Sequence, residues 1–243
     1  MIVDKFGGTS VGSAERMRQV AGIIAASPDQ QRVVVVSAMS GTTNALISAA
    51  RDAATATSAT YAATREWLAD KHLRCLDAIV GPGPERDRIA GEILARLDDM
   101  ERLCYSMATL GELTPRGHDA VASIGEELSS RIVAAALRAQ GVPAEQVSAT
   151  ELIVTDDHYG AARPNLAATR VLARQRLLPL VERGIVPVVT GYIGATPAGV
   201  TTTLGRGGSD YTAAILGVSL DANEVRIWTD VDGILTADPK LVP

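Results

Sequence analysis

The apolar residues of this 243-residue chain fall into two kinds of run. Ile2 to Phe6, Arg32 to Val36 and Gly184 to Thr190 are short, β-branched and nearly continuous, the pattern of strands buried on both faces. Between them apolar positions recur at helical spacing. Met17, Val20, Ala21 and Ile24 make one stripe behind Ser13, which suits an N-cap, with Glu15 in the first turn. Polar turns follow the strands: Gly7-Gly8-Thr9-Ser10 after the first, and Ser37 to Asn44 after the second, leading to a helix from Ala45. Strand, glycine turn, helix, strand, polar turn, helix predicts an open parallel α/β sheet, where ligands gather at the carboxyl ends of the strands.

Residues 51–110 depart from this pattern. They are alanine-rich and charged, with few β-branched clusters, and predict a helical excursion broken at Gly81 to Pro84 that covers one side of the site. Thr114-Pro115 introduces a helix over 117–140. Val121, Ile124, Leu128, Ile132 and Ala135 form its buried side; Ser123, Glu126 and Ser130 share another face, whose small residues leave room for a ligand. Extended pieces follow over 142–147 and 152–155, then the polar turn 156–160 and a helix over 164–183. Residues 191–199 have hairpin chemistry. A strand from Gly199 enters Gly205-Arg206-Gly207-Gly208-Ser209-Asp210, and an apolar helix capped by Ser209 or Asp210 leaves it. Glu224 to Thr229 is a last strand before a polar, irregular end.

Composition narrows the function classes. With 47% hydrophobic but only 3% aromatic residues, the core is aliphatic. A net charge of -5 without a basic run argues against a nucleic-acid partner, and leaves room for an anionic nucleotide held locally. No run reaches membrane-spanning length and no signal-peptide pattern opens the chain, so no membrane partner is expected. Cys75 and Cys104 have no partner pattern, which predicts a reduced, cytoplasmic compartment. His72, His118 and His158 lack metal-ligand spacing and read as surface or capping residues; no protein metal site is expected.

The candidate chemistry sits on the strand-end turns. Lys5 precedes two glycines, where it can pair with an acid or reach phosphate oxygens beside the glycine amides. The spacing is neither the Walker pattern nor the dinucleotide fingerprint. Ser37 and Thr43 offer hydroxyls suited to turns, caps or a ligand. Glu126 is either a solvated helix charge or a ligand group, and Glu127 beside it has the same choice. Arg206, among three glycines, suits a carboxylate or a phosphate unless the loop merely turns the chain. Thr229-Asp230 ends a strand, where polar residues cap or bind. Together these groups suit phosphoryl transfer to a small acidic acceptor.

Five stretches carry a resemblance: Lys5-Phe-Gly-Gly-Thr-Ser-Val11, Ser37-Ala-Met-Ser-Gly-Thr-Thr-Asn44, Gly125-Glu126, Thr201-Thr-Thr-Leu-Gly-Arg-Gly-Gly-Ser-Asp210 and Trp228-Thr-Asp-Val-Asp-Gly233. In order and content they resemble the catalytic domain of aspartate kinases, within the amino-acid kinase superfamily. The resemblance implies a three-layer α/β/α sandwich around a mainly parallel sheet, an acceptor-binding part over about 1–190 and the start of a nucleotide-binding part over about 191–243. It implies ATP-dependent phosphorylation of the side-chain carboxylate of L-aspartate to 4-phospho-L-aspartate, the first step towards lysine, threonine, methionine and diaminopimelate.

Carried over by position, the resemblance implies that Lys5, Gly7 and Gly8 hold the transferring phosphate, with Phe6 between them on the nucleotide side. Ser37 and Thr43 would line the acceptor pocket and Glu126 would hold the aspartate ammonium. Arg206 would clamp a carboxylate with the amides of Gly207, Gly208 and Ser209, and Asp210 would orient Lys5. Thr229, Asp230, Leu235 and Lys240 would face the nucleotide; Leu235 stands where some members carry an aromatic residue. Mg²⁺ would be bound mainly through the nucleotide phosphates. A cytoplasmic homo-oligomer is expected. The family continues past Pro243 with a closing kinase segment and ACT domains, so a truncated kinase domain is expected here. A kinase of another small acid, and a non-catalytic binding or assembly module, are the alternative readings.

Overall fold

Three short strands make the centre of the molecule because most of their side chains are apolar on both faces. In a computed structural model, which describes residues 1–27, 31–55 and 59–229, β1 (Ile2–Phe6), β2 (Arg32–Val36) and β4 (Val186–Thr190) are buried at every position. With β3 (Ala144–Val147) and β7 (Glu224–Trp228) they form one parallel sheet in the order β3-β4-β2-β1-β7. Phe6 lies opposite Val36 and Trp228, and Val36 opposite Thr190, so the carboxyl ends of four strands stand level.

Strand parity sorts the side chains into two cores. Val34 and Val36 face α1 (Ala14–Ala25), α2 (Thr42–Ala54) and α6 (Ile124–Ala139); Val33 and Val35 face α7 (Leu166–Glu182) and α8 (Gly208–Ser219). This is the expected α/β/α sandwich. The excursion forms a helical hairpin, α3 (Ala59–Ile79) and α4 (Pro84–Leu110), packed on α2 and α6 through Leu68, Leu76, Ile93 and Leu97. Pro115 opens α5 (Pro115–Ala122) behind Thr114, whose hydroxyl accepts from Gly117 N.

The helix expected over 117–140 is two helices that meet at Ser123, whose hydroxyl donates to Ala120 O instead of facing a ligand. The expected hairpin is present: β5 (Ile193–Ala195) and β6 (Thr201–Thr203) pair antiparallel beside the main sheet. His72 corrects the surface reading. It is fully buried on α3, where burial pushes its ring down to about 4 while its Nδ1 lies 2.7 Å from Leu68 O. Cys75 and Cys104 are both free and buried. Among the described residues no helix is long and apolar enough to cross a membrane.

Under the sheet, Asp4 and Arg32 form a buried ion pair at 2.7 Å, and Trp228 Nε1 donates to the other oxygen of Asp4 at 2.8 Å. The Trp228 ring stacks on Phe6 at 5.7 Å. These contacts lock β7 to β1 and β2.

Candidate active site

The turns after β1, β2, β4 and β6, with Gly160 and Glu126, enclose a cleft of about 560 Å³. The turn after β1 is held close to the turn after β2. A Cβ on Gly8 would sit 2.8 Å from Ala38 O, so only glycine fits without a shift, and Ser40 Oγ donates to Gly8 O at 2.9 Å. Lys5, at 9% exposure, sends its ammonium back over Gly7 and pairs with Asp210 at 2.7 Å.

Asp210 is free for this pair because it is not the helix cap. The N-cap of α8 is Gly207, in the left-handed region at φ 73°, with no side-chain capping bond. Ser209 and Asp210 lie inside the first turn. The second expected start also shifts: α2 begins at Thr42, capped by left-handed Gly41 at φ 80° and again without a side-chain bond. Thr43 is therefore in the first turn and not a cap. Both helices thus present first turns without side-chain caps to one cleft, where backbone N–H groups and the helix dipole favour an anion.

Glu126 and Glu127 are told apart by their neighbours. Gly125 lets α6 press on the turn after β2, since a Cβ there would lie 2.8 Å from Ala38 Cβ. Glu126 then accepts from Ala38 N at 3.2 Å through Oε1, while Oε2 is buried with no partner among the described residues and faces the cleft. Burial pushes this carboxyl up to about 8, against the pull of the Ala38 amide. Glu127 points away, towards Arg131 and Arg96 at 3.6 and 3.7 Å.

Ser37, Arg206, Gly207, Gly208 and Ser209 complete the expected set in the cleft. Arg206 is exposed and makes no ion pair among the described residues. Phe6, Gly7 and Thr229 are not among the lining residues; the Phe6 side chain is 1% exposed in the core. Asp230, Leu235 and Lys240 lie outside the described residues. Ser130 does not open the acceptor face, because its hydroxyl turns to Glu127 O at 3.3 Å. Its neighbour Ser129 instead donates to Ser37 O at 2.7 Å and braces the turn after β2.

Sequence reasoning passed over Ser129, Tyr192, Asp119 and Lys71. Ser129 was detectable, three residues after Glu126. Tyr192 lines the cleft with a positive φ of 69°, which its sequence does not announce. Lys71 comes from the hairpin: it donates to Ser40 O and lies 4.9 Å from the Trp67 ring centre. Glu126 and Asp210 are the acids lining the cleft, and no group of three or more His, Cys, Asp or Glu suited to a metal occurs among the described residues.

A family model described as the amino acid kinase family matches residues 1–243. The chain belongs to the amino acid kinase family. Within that family it is 39% identical to aspartokinase 1 of Arabidopsis thaliana over 98% of its own length and 42% of the relative's. It is 37% identical to lysine-sensitive aspartokinase 3 of Escherichia coli, over 100% and 51%. The structure of E. coli aspartokinase III in complex with aspartate and ADP superposes with a TM-score of 0.91 at 35% identity, covering all of this chain and 52% of that one. The chain thus spans about half the length of the relatives it matches.

Proposed function

We propose that this chain is the catalytic part of an aspartate kinase, transferring the γ-phosphoryl group of ATP to the side-chain carboxylate of L-aspartate. The observation that carries the reading is the division of one cleft. Lys5, fixed by Asp210 at 2.7 Å, stands with the glycine turn on one side; around the rest stand Glu126, with a buried oxygen that has no partner among the described residues, and Arg206, which makes no ion pair among them. A cation beside amides suits a transferring phosphoryl group. An acid plus an arginine suits an amino acid's ammonium and carboxylate. The neighbouring E. coli enzyme is described with aspartate and ADP, which supports the same pair of ligands here.

In this reading Glu126 holds the ammonium, and Arg206 with the amides of Gly207, Gly208 and Ser209 clamps a carboxylate. Ser37 and Thr43 line the acceptor side. Lys5, Gly7 and Gly8 draw the phosphoryl group, and Asp210 orients Lys5; Phe6, Thr229, Asp230, Leu235 and Lys240 belong to the nucleotide side. The attacking oxygen is already ionised at neutral pH, so no general base is needed. The residues accelerate transfer by aligning two anions and compensating charge. Mg²⁺, when bound, supplies further charge compensation at the phosphates. With two carboxylates at the cleft and one of them engaged by Lys5, the donors present suit a metal carried mainly by phosphate oxygens.

We assign residues up to about 190 to acceptor binding and those from 191 to the start of the nucleotide part, in a cytoplasmic homo-oligomer serving amino-acid biosynthesis. The assay is direct: protein, ATP and Mg²⁺ with aspartate, glutamate, N-acetylglutamate or uridylate, trapping acyl phosphate as hydroxamate. Aspartate-dependent product supports the reading, and turnover of another acid in its place replaces it. Because the chain covers half of its relatives, binding of both ligands without turnover would favour a non-catalytic module.

A further inference from the structure

Asp119, on α5, is wholly buried and forms no Lys or Arg ion pair among the described residues. Its charge is met by hydrogen bonds. Oδ2 accepts from the backbone N–H of Gly160 at 2.9 Å and of Thr203 at 2.8 Å. Oδ1 accepts from the Thr203 hydroxyl at 2.8 Å, with His118 Nδ1 3.3 Å away. The residue after Thr203, Leu204, donates its backbone N–H to Tyr192 O at 2.8 Å.

One carboxylate therefore joins α5, the 156–160 turn and β6. Gly160 and Tyr192, two ends of this network, line the cleft. Thr203, at its centre, is the last residue of β6 before the turn that carries Arg206. That turn is also pressed against Gly160: a Cβ on Gly205 would lie 3.1 Å from Gly160 O. Tyr192 in turn packs on Gly208, where a Cβ would meet its ring at 2.6 Å. A network of satisfied, buried polar groups is rigid, and here its free ends are the walls of the acceptor side.

We propose that Asp119 is a positioning residue for the acceptor wall. Through Thr203 and Gly160 it sets the place of Tyr192 and of the turn bearing Arg206, without touching the substrate. The proposal rests on the aspartate-kinase reading for its kinetic consequence and on the network alone for its structural one.

Removing Asp119 strands two buried backbone donors and invites unfolding, so the decisive variant is Thr203→Val. It keeps the β-branched shape and the N–H to Asp119 and removes the hydroxyl that donates to Asp119. Thr203→Val should raise KM for aspartate at least fivefold and leave KM for ATP within twofold, and Thr203→Ser should return both to within twofold of wild type. A smaller rise, an ATP effect above twofold, or no rescue by serine overturns the proposal. If the wild-type protein does not phosphorylate aspartate, the activity reading falls and hydrogen exchange decides the positioning role. Amides 204–208 should then exchange at least tenfold faster in Thr203→Val, with those of Val33 to Val36 unchanged; equal rates at 204–208, or faster exchange at both, overturn it.

Discussion

The Lys5 ammonium lies 2.7 Å from a carboxylate oxygen of Asp210, although the two residues stand near opposite ends of the described chain. The pair ties the end of β1 to the first turn of α8. Lys5 is nearly buried, whereas the Asp210 side chain is about half exposed, so the aspartate can hold the lysine while leaving it on the cleft surface. Arg206, four positions before Asp210, makes no ion pair among the described residues.

Lys5→Ala should lower kcat by about 100-fold or more, the range for losing a donor to developing charge, and alter nucleotide affinity much less. Arg206→Ala should leave kcat closer to wild type and raise KM for aspartate roughly 30-fold, for about 2 kcal/mol of charged hydrogen bonding. Steady-state kinetics with ADP titration would separate them. Equal loss of nucleotide binding in both variants contradicts this division of labour.

Glu126 gives a pH prediction with a definite sign. Its folded value near 8 lies above the ordinary 4.5, so the folded protein holds a proton that the unfolded chain has lost between those values. Stability contributed by this group therefore falls as pH rises from about 4.5 to about 8. Glu126→Gln, neutral throughout and still able to accept from Ala38 N, should melt higher than wild type by a margin that grows from pH 5 to pH 8. A margin independent of pH would refute it.

The same carboxyl should couple aspartate binding to proton release. An ammonium placed at the vacant oxygen favours the ionised form, so binding near pH 7 should expel a proton from wild type and none from Glu126→Gln. Calorimetry in two buffers of different ionisation enthalpy measures it directly.

Asp4→Ala should destabilise the fold by about 1–3 kcal/mol, because it removes a buried carboxylate that accepts from Arg32 Nη1. It also removes the acceptor of Trp228 Nε1, so in a Trp67→Phe background the fluorescence of Trp228 should report the loss of β7 from β1. Urea denaturation followed by fluorescence provides both readings.

The strands and the α/β class were legible in the sequence because a strand buried on both faces reads as a nearly unbroken apolar run, and Val33 to Val36 is one. Lys5, Glu126 and the Gly205 to Asp210 turn were legible as candidates because residue type and place at a strand or helix end limit what they can do. Helix starts were not. Ser209, Asp210 and Thr43 have the chemistry of caps, but left-handed Gly207 and Gly41 take that place and leave those side chains to the cleft. Nor could local pattern choose Glu126 over Glu127, or Ser129 over Ser130; one helical step of 100° separates each pair, and only packing against Ala38 and Ser37 distinguishes them. Sequence by itself determined which groups were available and which strands would be buried. Tertiary structure decided which groups met, because the Lys5–Asp210 pair and the Asp119 network join segments whose separation along the chain carries no information about distance.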